Sequence, residues 1–363
     1  MHSFAVEIGE ELIPFEQVLD YLSTNMNQSR VQFFLDCKRK YWWQFELNLV
    51  PDRPRWALED GKAFHEGMAV LAATEDLEKS VTAAKSTLRD GMPKQKLVYD
   101  ELELREHVEL VEHLVRAYYA EYNGKVLYKP LGVECSGRVE VGEGSGVFLV
   151  FRTDRLANWA NRIWIVDHKT AAKLDMRDVM KYEMDLQFTA YTYGVSKILG
   201  QRVAGVILDL ITKAQTTKFH QQPFVRSDDE LLDFEGEFVE IVREIAWRRA
   251  RVRAGEDPKT VWYKNTKECF RYGTCPYRDL CLSDSPVKRA LFMKRDTDYV
   301  DDADREGRRG RIDPEAINTA HQGLVQDGSG APGPEIPGTA PSDSSAAGAE
   351  VPGTAAPADG DVR

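Results

Sequence analysis

Three stretches carry residue types that do phosphate chemistry: "FRTDRL" with Asp154, "IVDHKT" with Asp167 and Lys169, and "QFTAY" with Gln187 and Tyr191. Strand periodicity places Asp167 and Lys169 on the face that also carries Ile165, while Val166 and His168 point the other way. A carboxylate and an amine in so apolar a strand are costly unless they pair or serve a site. Facing residues of an antiparallel hairpin have a constant sum of positions. A turn centred between Ala160 and Asn161 sets Asp154 opposite Asp167, and a turn centred on Gly144 sets Glu134 opposite Asp154. Like charges side by side destabilise a sheet, and three carboxylates together suit a hard cation such as Mg²⁺ or Mn²⁺. Lys169 would then orient the attacking water or stabilise charge developing on a phosphate. The alternative reading is an exposed sheet face with ordinary ion pairs.

A second cluster lies later. "CFRYGTCPYRDLC" holds Cys269, Cys275 and Cys281 at equal spacing. Three thiolates make an incomplete tetrahedral site. The chain has five cysteines, an odd and clustered set that argues against a disulfide framework and for a reducing compartment such as the cytoplasm.

Several elements must position these groups. Helices are expected over about Ser29–Phe45, with Ser29 as N-cap, over Trp56–Thr74 and over Leu97–Tyr122. "LGVECSGRVEV", "GVFLVFRTDRL" and "RIWIVDHKT" read as a three-strand meander separated by "GEGSG" and "ANWAN". A helix comes next over Met176–Leu199, then strands "RVAGVILDLITK" and "TKFHQQPFV", then a long helix opened by a Ser227/Glu230 capping box. The order implies an α/β sandwich around a mixed sheet.

The 363 residues are 42% hydrophobic with a net charge of −11. Val300 onward carries 12 acidic against 5 basic residues and is rich in Pro, Gly, Ala and Ser, the composition of a disordered tail. The acidity therefore says little about nucleic-acid binding. Lys38-Arg39-Lys40 and the arginines of 248–253 are local basic groups, each either a solvated helix face or a nucleic-acid contact. No apolar run is long enough for a membrane span, no secretion signal opens the chain, and no G-x-x-x-x-G-K-[ST] loop marks a motor.

The ordered set resembles the PD-(D/E)XK nuclease superfamily in its RecB-like branch, over about Ser29 to Leu282. That resemblance implies a restriction-endonuclease-like core in which Asp154, Asp167 and Lys169 are catalytic, with Gln187 and Tyr191 as the Gln-x-x-x-Tyr pair. "GKAFHEG" matches the branch's upstream Gly and His, which makes His65 a metal ligand beside Asp154, Asp167, the His168 backbone carbonyl and, less securely, Glu134. The cysteines are similar to those of AddB-type subunits and CRISPR-associated iron–sulfur nucleases. By that likeness Cys37 is the fourth ligand, with Cys269, Cys275 and Cys281, of a 4Fe-4S cluster that tethers a helical region. Zinc is the second choice, and Cys135 is left to packing.

The division implied is an N-terminal segment 1–28, a nuclease domain 29–299 and a tail 300–363. The function implied is Mg²⁺- or Mn²⁺-dependent hydrolysis of DNA, as an exonuclease on single strands or ends in recombination, repair or phage DNA metabolism. A helicase or recombinase chain is the expected partner. The alternatives are a catalytically silent DNA-binding or scaffold subunit, and a redox sensor centred on the cluster.

Overall fold

Gly205–Thr212 is buried at every position, as expected of a central strand covered on both faces. In the computed structural model this strand lies inside a mixed six-stranded sheet. The structure describes residues 25–295 and 310–326, apart from positions 124, 126, 127, 215 and 272, and also the backbone of Ala5–Ile8 and Glu11–Pro14, a small antiparallel hairpin. All of these belong to one unit, Met1–Ala331; the second unit, Pro332–Arg363, lies outside the described residues.

We number the sheet strands β1 (Asn25–Met26), β2 (Lys129–Glu140), β3 (Phe148–Trp159), β4 (Arg162–Ala171), β5 (Gly205–Thr212) and β6 (Phe219–Val225). β2 pairs with one side of β3. On the other side, β3 pairs antiparallel with β4 through 155–159 and parallel with β1 at Phe148 and Leu149. β4 and β5 are parallel, and β5 and β6 antiparallel. The β3–β4 register runs from Trp159↔Arg162 to Arg155↔Val166, the constant sum expected from the sequence. Its cause is local: Ala160 and Asn161 both have positive φ (51° and 57°), the conformation of a tight hairpin turn matched to strand twist. The β2–β3 register likewise brackets Glu134 and Asp154, between Val133↔Arg155 and Cys135↔Thr153.

The principal helices are α1 (Gln28–Asp36), α2 (Trp56–Thr74), α3 (Leu77–Lys94), α4 (Glu101–Tyr122), α5 (Leu186–Leu199), α6 (Asp228–Arg253) and α7 (Pro314–Gln326). α1, α5 and α6 share the larger core with one sheet face, through Ile163, Ile165, Leu208 and Leu210. α2, α3 and α4 form a second core reaching Ile211 and Phe219. Each face of β4 and β5 therefore meets a different layer, and alternation along β4 decides which side chain enters which.

Four expectations change. Asn27, not Ser29, caps α1, accepting from Arg30 N–H. The N-terminal helix breaks at Cys37, whose backbone is extended (φ −160°, ψ 113°), before a short turn Lys38–Tyr41 and a π-turn Trp42–Glu46. The helix expected over Met176–Leu199 is interrupted at Asp185, which caps α5 through Phe188 N–H. α4 starts at Glu101 behind an Asp100 cap, and α3 was not anticipated. Its signal was present: an Asp76 cap, then Val81, Ala84, Leu88 and Met92 on one buried stripe.

The domain limits also move. β1 and the start of α1 bring residues 25–28 into the sheet layer, so the segment 1–28 does not end at the fold's edge. The region 300–363 is not tail throughout. Ser136 N–H donates to Gly310 O (2.9 Å), Ile312 N–H to Ser136 O (3.0 Å), and Ile312 and Ile317 are buried in the larger core. Gly310 has φ +82°, and a Cβ there would meet Glu134 O at 2.3 Å. Burial of Ile312 and Ile317, with the hydrogen bonds of Asn318 to Gln201 Nε2–H and Leu199 O, docks the segment. Residues 300–309 and 327–363 lie outside the described residues.

Candidate nuclease active site

The β3–β4 ladder ends at Arg155↔Val166, so Asp154 and Asp167, next in register, sit where the two strands part. His168 N–H donates there to Asp154 Oδ2 (2.8 Å), a side chain taking the place of the lost strand partner. Asp154 Oδ1 lies 2.9 Å from His65 Nδ1, projected from α2. Burial works against charge on Asp154, yet His65 and His168 outweigh it and hold the carboxyl well below the usual carboxylate range. Burial also opposes charge on His65, but Asp154 pushes its pKa up.

Asp167 and Lys169 enter the other layer. Asp167 is 1% exposed, and its Oδ2 lies 2.7 Å from Lys169 Nζ without hydrogen-bond alignment. Burial raises the Asp167 pKa; Lys169 opposes that and Asp154 adds to it. Lys169 is held charged: burial disfavours its ammonium, but Asp167 and Tyr191 more than compensate. Its Nζ donates to Gln187 Oε1 (2.9 Å), Gln187 Nε2 donates to Tyr191 OH (2.7 Å), and Gln28 Nε2 reaches the same hydroxyl (3.3 Å). The one-turn spacing on α5 puts Gln187 and Tyr191 over β4.

Glu134 stands in the expected register but with φ +49°, and its carboxylate pairs with Arg152 (3.0 Å). Burial pushes its carboxyl up to about 7 against the pull of Arg152. At His168 the backbone N–H and the ring carry the interactions with Asp154 and Asp209. Sequence reasoning missed Gln28, Arg152, and the pair Tyr118 and Asp209 behind His168. For Asp209 the signal was one acid in "GVILDLIT", a fully buried strand.

Among the described residues no group of three or more His, Cys, Asp or Glu stands in the arrangement of a bound metal ion. The donor set nonetheless fits a hard divalent cation. Carboxylate oxygens and an imidazole meet around one strand gap, and the buried Asp167 Oδ2 has no aligned donor.

At the far end of α1, Cys37 Sγ accepts from Asn265 N–H (3.3 Å) and Cys281 Sγ from Trp43 Nε1–H (3.4 Å). All five cysteines are free thiols. Burial raises Cys275 and Cys281, and each also feels Cys269 electrostatically; Cys281 feels Cys37 as well. Two of the four cysteine sulfurs, those of Cys37 and Cys281, thus carry N–H donors, but among the described residues no three cysteines stand together as a metal-holding group. Cys135 is elsewhere, buried in the larger core, its thiol pushed up to about 12 by burial.

The local basic groups are engaged within the fold. Lys38 and Lys40 lie over the rings of Phe34 and Phe33, and Arg39 donates to the carbonyls of Lys259 and Trp262. Arg248 pairs with Glu244, Arg249 with Glu46 and Arg251 with Glu256.

Residues 25–282 match the profile of the PD-(D/E)XK nuclease superfamily. No curated protein matches the chain. Among solved structures, a presumed exonuclease from Eubacterium rectale is 16% identical, covering 65% of this chain and 86% of its own at a TM-score of 0.40. The structure of SSO0001 is 12% identical, covering 76% and 94%, with a TM-score of 0.29.

Proposed function

Because this chain belongs to the PD-(D/E)XK nuclease superfamily, we propose that it is a DNA-hydrolysing nuclease of the RecB-like branch, using Mg²⁺ or Mn²⁺ and acting on single strands or ends. The observation that carries the reading is the unbroken contact line Asp167–Lys169–Gln187–Tyr191, which converges with His65–Asp154 on one strand gap. His65, Asp154 and Asp167 would hold the cation, with Glu134 at the margin. When bound, the cation supplies positive charge that acidifies water and offsets phosphate charge.

The protein's own groups do the rest. Lys169, paired with Asp167, would donate its N–H bonds to the attacking water or the phosphate oxygens as charge develops. Gln187, braced by Tyr191, fixes the ammonium's direction. The net reaction adds water across a phosphorus–oxygen bond, and the leaving oxygen takes up a proton.

We assign Cys37, Cys269, Cys275 and Cys281 to a 4Fe-4S cluster. Thiols that accept N–H hydrogen bonds suit such a group. Cys37 precedes β2–β6 and the other three follow them, so the cluster would clasp segments from either side of the central strands. A cytoplasmic setting and a helicase or recombinase partner fit this reading. Among the described residues no helix is long and apolar enough to cross a membrane.

A silent DNA-binding subunit would have no chemical need for a buried Lys169 ion-paired to Asp167 and bonded to Gln187. End-labelled single-stranded and duplex DNA, incubated with Mg²⁺, Mn²⁺ or chelator, tests the proposal. Metal-dependent shortening of the single strand is expected, and an uncut substrate under both metals would count against it.

A further inference from the structure

On the face of β4 away from Lys169, a buried polar chain runs behind Asp154. His168 Nδ1 lies 3.3 Å from Asp154 Oδ2, and His168 Nε2 lies 3.6 Å from Asp209 Oδ2. Tyr118 OH donates to that same Asp209 oxygen at 2.7 Å and stands 3.4 Å from His168 Nε2. His168 is 1% exposed and Asp209 0%. Asp209 Oδ1 has no hydrogen-bond partner, although the group is wholly buried.

A carboxylate in this position is expensive. Packing alone would favour an apolar residue, as at Ile207 and Ile211 on the same strand face. β4 and β5 pair in parallel with His168 directly beside Asp209, so the strand register brings the ring to the acid. Tyr118 comes from α4, across the second core, and its ring also packs against Phe64 and His168. Three elements thus converge on one imidazole.

Asp154 divides its two oxygens accordingly. Oδ2 is engaged by the His168 backbone N–H and ring, while Oδ1 faces His65. We infer that Tyr118 and Asp209 are positioning residues that hold the His168 ring against Asp154 Oδ2, leaving Oδ1 as the oxygen presented with His65 to the divalent cation. The inference rests on the reading of Asp154 as a metal-holding carboxylate. Outer-shell partners of this kind orient the ligand and set its basicity, and their loss commonly weakens metal binding by about 10–100-fold.

Mn²⁺ binding, measured by electron paramagnetic resonance on the full chain without DNA, tests this apart from catalysis. Circular dichroism and thermal melting select the folded variants. Tyr118→Phe and Asp209→Asn should each weaken Mn²⁺ binding about tenfold or more. Tyr122→Phe keeps a ring packed beside Tyr118 and should bind as the parent does. If Asp209→Asn does not fold, Tyr118→Phe decides, because it removes one hydroxyl and preserves the ring. Parent-like Mn²⁺ affinity in folded Tyr118→Phe would overturn the inference while leaving the active-site reading intact. Parent-like affinity and cleavage in Asp154→Ala would remove the active-site reading, and the inference with it.

Discussion

Lys169 on β4 donates to Gln187 Oε1 on α5 across 2.9 Å. This bond ties the catalytic strand to the next long helix, and it makes the ammonium's direction depend on a neutral side chain. Gln187 is in turn fixed by Tyr191 OH at 2.7 Å. Gln187→Ala should therefore lower cleavage about 10–100-fold, the scale of an ångström-level misplacement. The fold should persist, because Lys169 keeps Asp167 as its counter-ion. Single-turnover rates beside melting curves check this; an unchanged rate would remove Gln187 from the site.

The cysteine assignment predicts brown protein after anaerobic purification, with about four irons per chain. Cys37→Ser should bleach it and loosen the fold as much as Cys275→Ser. Cys135→Ser should do neither, and the buried Cys135 thiol, pushed up to about 12, should resist alkylation in folded protein at pH 8. Zinc without iron would refute the cluster.

How much of this was legible is clearest in the hairpins. Positive φ at Ala160 and Asn161 fixes the β3–β4 register, so counting from the turn placed Asp154 against Asp167. The break at Cys37 was not legible, because it lies within a helix-compatible stretch and is held from outside by Asn265 N–H. The break at Asp185 is a local cap, Phe188 N–H to its Oδ1, and its Asp signal was present in the sequence. The His168–Asp209–Tyr118 chain joins β4, β5 and α4, and no local pattern connects them. Residues 310–326 were hidden by composition: Ile312 and Ile317 are few apolar residues in a segment that reads as tail.

That segment gives a stability prediction. Ending the chain at residue 295 removes the contacts of Ile312 and Ile317, and Ile317→Ala alone should cost about 2–5 kcal/mol. Ending it at 326 should leave the melting temperature nearly unchanged, because residues 327–363 are dominated by Pro, Gly, Ala and Ser. Equal melting of the 295 and 326 truncations would show that the docking of α7 contributes nothing.

In the helical layer, Glu112 on α4 bonds Lys85 on α3 and Arg116. Lys85 first, then Arg116, lowers its pKa below the usual value of 4.5. A depressed carboxyl pKa contributes stability above the unfolded value, and that contribution is lost as pH falls through the folded one. Glu112→Gln should cost about 0.2–1 kcal/mol at pH 7, an exposed-pair magnitude, and nothing once the carboxyl is protonated in both the folded and unfolded states. Urea melts from pH 7 downward through the acid range give the comparison; a penalty that does not shrink as pH falls would assign the effect to packing.

The central claim is that Lys169 is a charged catalytic group aimed by Asp167 and Gln187. The most direct measurement is cleavage of end-labelled single-stranded DNA by Lys169→Ala with Mg²⁺ and with Mn²⁺, on protein shown to be folded. Abolished cleavage under both metals is the predicted result, and near wild-type cleavage under both would contradict the assignment of this site.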